Sequence, residues 1–333
     1  MTQYQAQEWR SQLADVERAD WKESIYRAAR PILDKFARRH LQGALIRKFS
    51  PAMVLGERGF PLVARHRWAT DGADLRGKSI LVIGTGTGWD VASWAKFLPS
   101  RIIGVDLYEF NSWPEVKAFC MAKYGVPVEM KKSSLTDLAT LEDESFDLVA
   151  SDAVLEHVTD LPRLMREAHR VLKTSGLFYA AYGPLWYCAG GDHFSGRGGV
   201  THNAYSHLLM SPEQYARYLM TNSHEIEDFQ CGLRYAELGL FSRLRTEEYL
   251  TAFINAGFAV DALMFEISKE ALQFRGSYPT LMMELKERHP HCDPDDFIVK
   301  ANFVRLRKSR FSGDSTGVDK KGAGVLLSLH DDK

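Results

Sequence analysis

The chain has 333 residues, 45% hydrophobic and 26% charged, enough to bury one large core or two modest ones. Forty-two basic residues face 43 acidic ones, a formal net charge of -1, which argues against a surface that tracks a nucleic-acid backbone. The polar start MTQYQAQEWR does not read as a secretory signal, no apolar run approaches the roughly 20 residues of a membrane helix, and Cys120, Cys188, Cys231 and Cys292 lack metal-ligand spacing. These features predict a cytoplasmic protein with reduced thiols and with neither membrane nor nucleic acid as a partner.

Residues 1–77 read as a helical extension, in which Trp21, Ile25, Ala28, Ile32 and Phe36 form one apolar stripe that must pack on something. From Gly77 the period changes. Short apolar runs alternate with amphipathic segments, the pattern of βαβ units around a parallel sheet. Strands are predicted at Ser79 to Ile83, Arg101 to Asp106, Val128 to Lys131, Phe146 to Ser151 and Leu177 to Tyr182. A helix from Leu161 to Leu172 carries Leu161, Leu164, Met165, Ala168, Val171 and Leu172 on one face, with Lys173 and Gly176 marking its end. Residues 183–242 form a long aromatic and histidine-containing insertion, too rich in glycine at its start for regular structure. RTEEYLTAFINAGFAVDALMFEI then gives a helix, a stop at Gly257 and a sixth strand, and DFIVKANFVRLRK gives a seventh. The fold class is therefore α/β, a doubly wound Rossmann-like seven-stranded sheet over residues 78–310, with its core at 78–182 and late helix and strands at 243–310. Residues 311–333 mix Gly, Ser, Asp and Lys and are expected to form a disordered tail.

The run Ile80-Leu81-Val82-Ile83-Gly84-Thr85-Gly86-Thr87-Gly88 is a buried strand entering a tight glycine turn before WDVASWAKFL. Glycine is needed where backbone must bend sharply and approach a ligand without a Cβ between them. Asp106, at the end of the next strand, is an acid placed to accept hydrogen bonds from two ribose hydroxyls. The GxGxG spacing differs from the GxGxxG of dinucleotide enzymes and suits a ligand without phosphates. Asp152, just past the fourth predicted strand, falls where a doubly wound sheet has its ligand crevice. Asp90 at a helix start needs no ligand to account for it, because the helix dipole favours an acid there.

Residues 78–180 resemble the core of class I S-adenosylmethionine-dependent methyltransferases, in the branch often labelled type 11. Besides ILVIGTGTG and GVD, the stretch ESFDLVASDAVLEHVTDLPRLMREAHRVLKTSGLFY resembles that family's fourth strand, following helix and fifth strand, and RTEEYLTAFINAGF resembles its late helix. The resemblance implies S-adenosyl-L-methionine as cofactor, leaving S-adenosyl-L-homocysteine as product. It implies a cofactor site of Gly84, Thr85, Gly86, Gly88, Asp106, Leu107, Ser134, Leu135 and Asp152, with the glycines beside the methionine part, Asp106 on the ribose and Leu107 against the adenine. Val82 stands where the family usually carries an acid, and Ser134 where it carries the adenine-facing acid, with Asp137 three residues on as the other candidate. Glu156 and His157 belong to the family-like LEHV stretch and are given a structural role.

Methyl transfer from a sulfonium is a matter of alignment, and a hydroxyl acceptor adds the need for a base, most often histidine. The insertion supplies Trp186, Tyr187, Asp192, His193, His202, Tyr205 and His207. His193 is the first choice of base and His207 the second. Asp192 adjoins His193, although neighbours on an extended loop can point apart. A magnesium site built from Asp192, His193, His202 and His207 is disfavoured by magnesium's preference for oxygen, so no metal is assigned. Glu57, Arg58, Arg65 and His66 mark a second candidate wall for the acceptor. The loop pattern GPLWYCAGGDHF with HLLMSPEQY resembles bacterial methyltransferases acting on sugars and glycans. The expected reaction is thus O-methylation of a small-molecule acceptor, a sugar or natural product. N- or C-methylation, a non-catalytic cofactor-binding protein and a nicotinamide oxidoreductase stand as alternatives.

Overall fold

The computed structural model describes residues 25–309, apart from 26–27, 30, 33, 45–47, 50, 57–61, 197–199 and 223–238. The tail at 311–333, Trp21, Glu57, Arg58 and Cys231 lie outside the described residues. The strands are β1 Ala52–Leu55, β2 Ser79–Ile83, β3 Arg101–Asp106, β4 Val128–Lys132, β5 Phe146–Asp152, β6 Leu172–Tyr182, β7 Phe258–Ile267 and β8 Val299–Lys308. The helices used below are α1 Leu62–Thr70, α2 Trp89–Ala95, α3 Trp113–Tyr124, α4 Leu161–Val171, α5 Ser206–Leu209, α6 Pro212–Asn222 and α7 Thr246–Asn255.

One sheet runs in the order β1-β7-β8-β6-β5-β2-β3-β4. Only β8 is antiparallel to its neighbours, lying between β6 and β7. Every residue of β2 is buried, as expected of a parallel strand covered on both faces. Its side chains divide by the two-residue period: Leu81 and Ile83 join one apolar layer with α4 and α7, and Ile80 and Val82 join the other with α2 and α3. The chain passes from β2 outward through β3 to β4 and then returns to place β5 on the other side of β2. The switch between β2 and β5 opens a crevice at their carboxyl ends.

The seven expected strands are joined by an eighth. Ala52–Leu55 pairs in parallel with β7, Ala52 opposite Met264, so the N-terminal extension contributes a strand to the sheet. The apolar stripe does not pack inward as expected. Ile25, Ile32 and Phe36 are more than half exposed, and Ala37 and Leu41 are the residues buried there. Polar groups fasten this stretch instead. The Asp34 carboxylate accepts the Met53 amide at 2.7 Å, and Arg38 donates to the Pro51 carbonyl. The amides of Gln42 and Gly43 donate to the Asp295 carboxylate.

Helix α4 starts as predicted, with the Asp160 side chain accepting the Arg163 amide at 3.1 Å. It runs straight into β6 at Leu172, so that strand begins five residues before the predicted Leu177. The insertion is irregular over its described glycine-rich start and helical later, in α5 and α6. No helix among the described residues is long and apolar enough to cross a membrane.

Candidate active site

The glycine turn is held from three sides. The Gly84 amide donates to the Val105 carbonyl at 2.7 Å, fixing the end of β2 to β3. Ser112 donates its hydroxyl to the Thr87 carbonyl, and the Trp113 indole N–H donates to the Gly86 carbonyl, both at 2.8 Å. Gly84 has φ +74°, and a Cβ there would fall 2.2 Å from Val154 Cγ2, so close packing with the β5 end requires glycine. At Gly86, φ is +49° and a Cβ would meet nothing within 4 Å. The space beside this residue is open. Thr85 Oγ1 is buried in the same turn with no hydrogen-bond partner.

Asp106 closes the turn from β3. One carboxylate oxygen accepts the Gly86 amide at 2.8 Å and the other the Tyr108 amide at 2.9 Å, leaving lone pairs on both for a ligand. Burial pushes its pKa up, and the hydrogen bonds from Tyr108, Gly86 and Leu107 oppose that. Leu107 beside it is 45% exposed, an apolar surface at the mouth of the crevice. Ser134 and Leu135 follow β4, which pairs with β3 through Asp106 and Lys132. The Ser133 amide donates to the Asp106 carbonyl at 2.8 Å and brings this turn to the same rim. Ser134 shares a hydrogen bond with Thr136, and Asp137 turns back to accept the Ala139 amide. These residues and the glycine turn are brought side by side at the carboxyl ends of β2, β3 and β4.

Asp152 takes a different place from the one expected. Its side chain is 2% exposed and is occupied by protein groups. His66 Nε2 and the Tyr179 hydroxyl donate to it at 2.9 Å each, and Arg65 lies 3.5 Å away. His66 is itself buried, stacked on Trp94 at 3.7 Å between ring centres, and its Nδ1 accepts the Ser93 hydroxyl. Burial holds the His66 pKa down. Burial would raise that of Asp152, but the Arg65 charge and its other partners outweigh it and hold the carboxyl below its ordinary value. Arg65 and His66, expected to wall the acceptor, instead fasten α1 beneath the strand ends. Asp90 is likewise buried, and burial pushes its carboxyl well up.

The insertion also departs from expectation. Asp192 is wholly buried and turns away from His193, toward its own loop: it accepts from the Phe194 and Ser195 amides, the Ser195 hydroxyl and the Tyr215 hydroxyl. His207 lies 3.7 Å from Asp192, its side chain fully buried, and its Nε2 donates to the Trp186 carbonyl at 2.7 Å. A histidine enclosed in this way is a support of the loop and is poorly placed as a base. His202 lies apart on the surface, against Tyr278.

His193 points the other way. Its backbone has φ +62°, a strained conformation for a residue with a side chain, held by its amide's bond to the Gly190 carbonyl. Its ring centre lies 4.7 Å from that of His157, and both rings pack on Phe241. His157 belongs to the short turn Leu155–His157 after β5, and its Nδ1–H donates to the Leu240 carbonyl at 2.8 Å, which fixes the tautomer with the lone pair on Nε2. Glu156 in the same turn is buried, and neither carboxyl oxygen completes a hydrogen bond. Burial pushes its pKa up to about 8, against the backbone amides of Glu156 and Gly183. Glu156, His157 and His193 each present one donor atom within 4.8 Å of the others. LEHV had read as structural. The signal it carried was an acid and a histidine directly after the β5 carboxyl end, where the crevice opens.

Residues 81–180 match the protein family described as methyltransferase domain. The chain carries an S-adenosylmethionine-dependent methyltransferase domain. Over 180 residues this methyltransferase is 29% identical to a ubiquinone biosynthesis O-methyltransferase of Pseudomonas syringae pv. tomato, spanning 54% of this chain and 68% of the relative. A protein of the same name from Neisseria meningitidis serogroup C is 25% identical over 159 residues, 47% of this chain and 59% of that one. Among solved structures, a methyltransferase from Mesorhizobium loti overlays with a TM-score of 0.44 at 20% identity, covering 71% of this chain and 93% of that one. The matched residues include the glycine turn, Asp106 and the Leu155–His157 turn, so the chemistry is methyl transfer to a small-molecule acceptor.

Proposed function

We propose that this methyltransferase acts on a hydroxyl of a ring-bearing small molecule and makes a methyl ether. The carrying observation is the His157 and His193 pair at the carboxyl end of β5, with ring centres 4.7 Å apart beside the buried Glu156. A neutral amine attacks through its lone pair and sheds a proton only afterwards, from the ammonium it has become, whereas a hydroxyl requires a partner for its proton as it attacks. The S-adenosylmethionine sulfonium supplies the methyl group. On this reading the turn at Gly84 to Gly88 meets the methionine part, Asp106 the ribose, and Leu107, Ser134 and Leu135 the adenine. The described residues of the insertion, Trp186 and Phe241 among them, border the acceptor. Trp186 stands with Phe241 at 5.0 Å between ring centres, and Arg243 lies 4.7 Å over Trp186, a wall suited to stacking a flat ring. Between the sugar expected from the loop pattern and a phenolic ring, the relatives named for ubiquinone biosynthesis favour the phenolic ring.

The test is release of S-adenosylhomocysteine with matched panels of catechols, phenolic glycosides, amines and activated carbon acids. Turnover confined to hydroxyl acceptors is expected. His193→Ala should lower kcat about 10²-fold or more while leaving S-adenosylhomocysteine affinity unchanged. Turnover of amines or carbon acids in place of hydroxyls would overturn the reading.

A further inference from the structure

We propose that Glu156, His157 and His193 form a binding site for one divalent transition-metal ion, with zinc the best match to the donors. Two imidazoles and one carboxylate are a set that binds zinc with a position left for water or substrate, and the same set serves iron(II). One donor atom from each of the three residues lies within 4.8 Å of the other two, a spread that a modest side-chain adjustment closes around a single ion. His157 is already oriented as metal-binding histidines are. Its Nδ1–H donates to the Leu240 carbonyl, which fixes the tautomer and makes Nε2 the ring's ligand atom.

The carboxyl of Glu156 is the second observation that points to a ligand. It is 2% exposed, and both oxygens are buried without a completed hydrogen bond, an arrangement that costs free energy unless a cation or donor is supplied. A cation between it and the imidazoles supplies that compensation. The third donor comes from the insertion through His193, whose left-handed backbone turns the ring to His157 and away from Asp192. Strain of this kind collects where a side chain must be aimed. The histidine-rich set considered from sequence, Asp192, His193, His202 and His207, is not brought together.

The consequence for the reaction rests on the proposed function; binding of the ion does not. Held at the open position of the ion, an acceptor hydroxyl loses its proton to the buffer more readily. The two imidazoles then serve as ligands. The oxygen forms a bond to the methyl carbon as the carbon–sulfur bond breaks, and the sulfur keeps the electron pair.

The experiment uses the full chain, stripped by chelator and dialysed against zinc or cobalt(II). One zinc per chain by elemental analysis is expected, with cobalt(II) giving the visible bands of a low-coordinate site. Glu156→Gln, His157→Ala and His193→Ala should each weaken zinc binding by more than the roughly 10–100-fold typical of losing an outer-shell partner. His202→Ala should bind zinc as the parent does. Circular dichroism checks that the variants fold, and Glu156→Gln, the most conservative of them, carries the test if a histidine variant does not. Failure of the parent to retain zinc, or equal retention by Glu156→Gln, overturns the site. Hydroxyl methylation by a protein that retains no metal overturns the site and leaves the function standing; zinc retention with turnover only of amines does the reverse.

Discussion

A methyl group added at Gly84 and at Gly86 should separate the part of the turn that keeps the fold from the part that meets the cofactor. At Gly84 a Cβ would lie 2.2 Å from Val154 Cγ2 and 2.9 Å from Val154 Cγ1, and Val154 is packed against the core. Overpacking costs about 1–3 kcal/mol and the left-handed backbone about 1–2 kcal/mol, so Gly84→Ala should lose roughly 2–5 kcal/mol. Gly86→Ala meets no atom within 4 Å and should lose only the backbone share, about 1–2 kcal/mol. Its methyl group enters open space that the proposed cofactor site assigns to the ligand, so S-adenosylhomocysteine affinity should fall at least about tenfold, or about 1.4 kcal/mol. A double-mutant cycle makes the distinction sharper. Val154→Ala removes both γ carbons and leaves Val154 Cβ at 3.1 Å from the added methyl, so the overpacking share of about 1–3 kcal/mol should return as coupling. Urea unfolding gives the stabilities and calorimetric titration the affinities. Strict additivity of Gly84→Ala with Val154→Ala, or a larger stability loss at Gly86 than at Gly84, would refute the assignment of the two glycines.

Asp106→Ala should weaken S-adenosylhomocysteine binding by roughly 10–100-fold, the worth of one or more hydrogen bonds to a charged group, read by the same titration. Asp192→Asn should destabilise the fold by about 3–5 kcal/mol, since the burial that would raise this carboxyl is outweighed by His207, Tyr215 and Ser195, and the change removes the charge they are arranged around. His193→Ala should leave stability nearly unaltered, so comparison of the two in urea tells support from site. His66 is held neutral by burial, so its folded pKa lies below the ordinary 6.5 and the unfolded chain binds the extra proton first. Stability should therefore be flat above about pH 6.5 and decline below it, and His66→Gln should lessen that slope by up to about 1.4 kcal/mol per pH unit. Asp152, held low, keeps its own contribution until pH falls below its ordinary value near 4. Equal slopes for parent and His66→Gln between pH 6.5 and 5 would remove His66 from the acid response.

What could be read from the chain in advance was what depends on neighbours in sequence. The glycine turn, the β2 run and Asp106 carry their signals within a few residues, because steric freedom and strand burial are local demands. The same holds for α4, whose apolar face lies in one short stretch. Its end was harder to read, because Lys173 and Gly176 resemble a stop while the backbone passes directly into β6. The strand Ala52–Leu55 was hidden because four residues show no periodicity of their own and become a strand only against β7. Asp192 and His193 looked like a pair because they adjoin, yet the left-handed backbone at His193 sends the two side chains to opposite sides of the loop. His157 and His193 come together only through tertiary packing on Phe241, which no spacing along the chain reveals.

The pairing of β1 with β7 sets an order on assembly. Met53 and Val54 are synthesised well before β7, but the backbone groups they need belong to Phe265 and Glu266, and the amides of Gln42 and Gly43 wait on Asp295. Until the last third of the polypeptide has emerged, this segment has no place in the sheet and its apolar side chains have no shelter. The helix that brings Arg65 and His66 to Asp152 differs, because its partners Ser93, Trp94, Asp152 and Tyr179 all precede β7. A nascent chain halted before β7 would carry the glycine turn and Asp106 with β1 still unpaired, an exposed strand of the kind that makes partly made chains prone to aggregate.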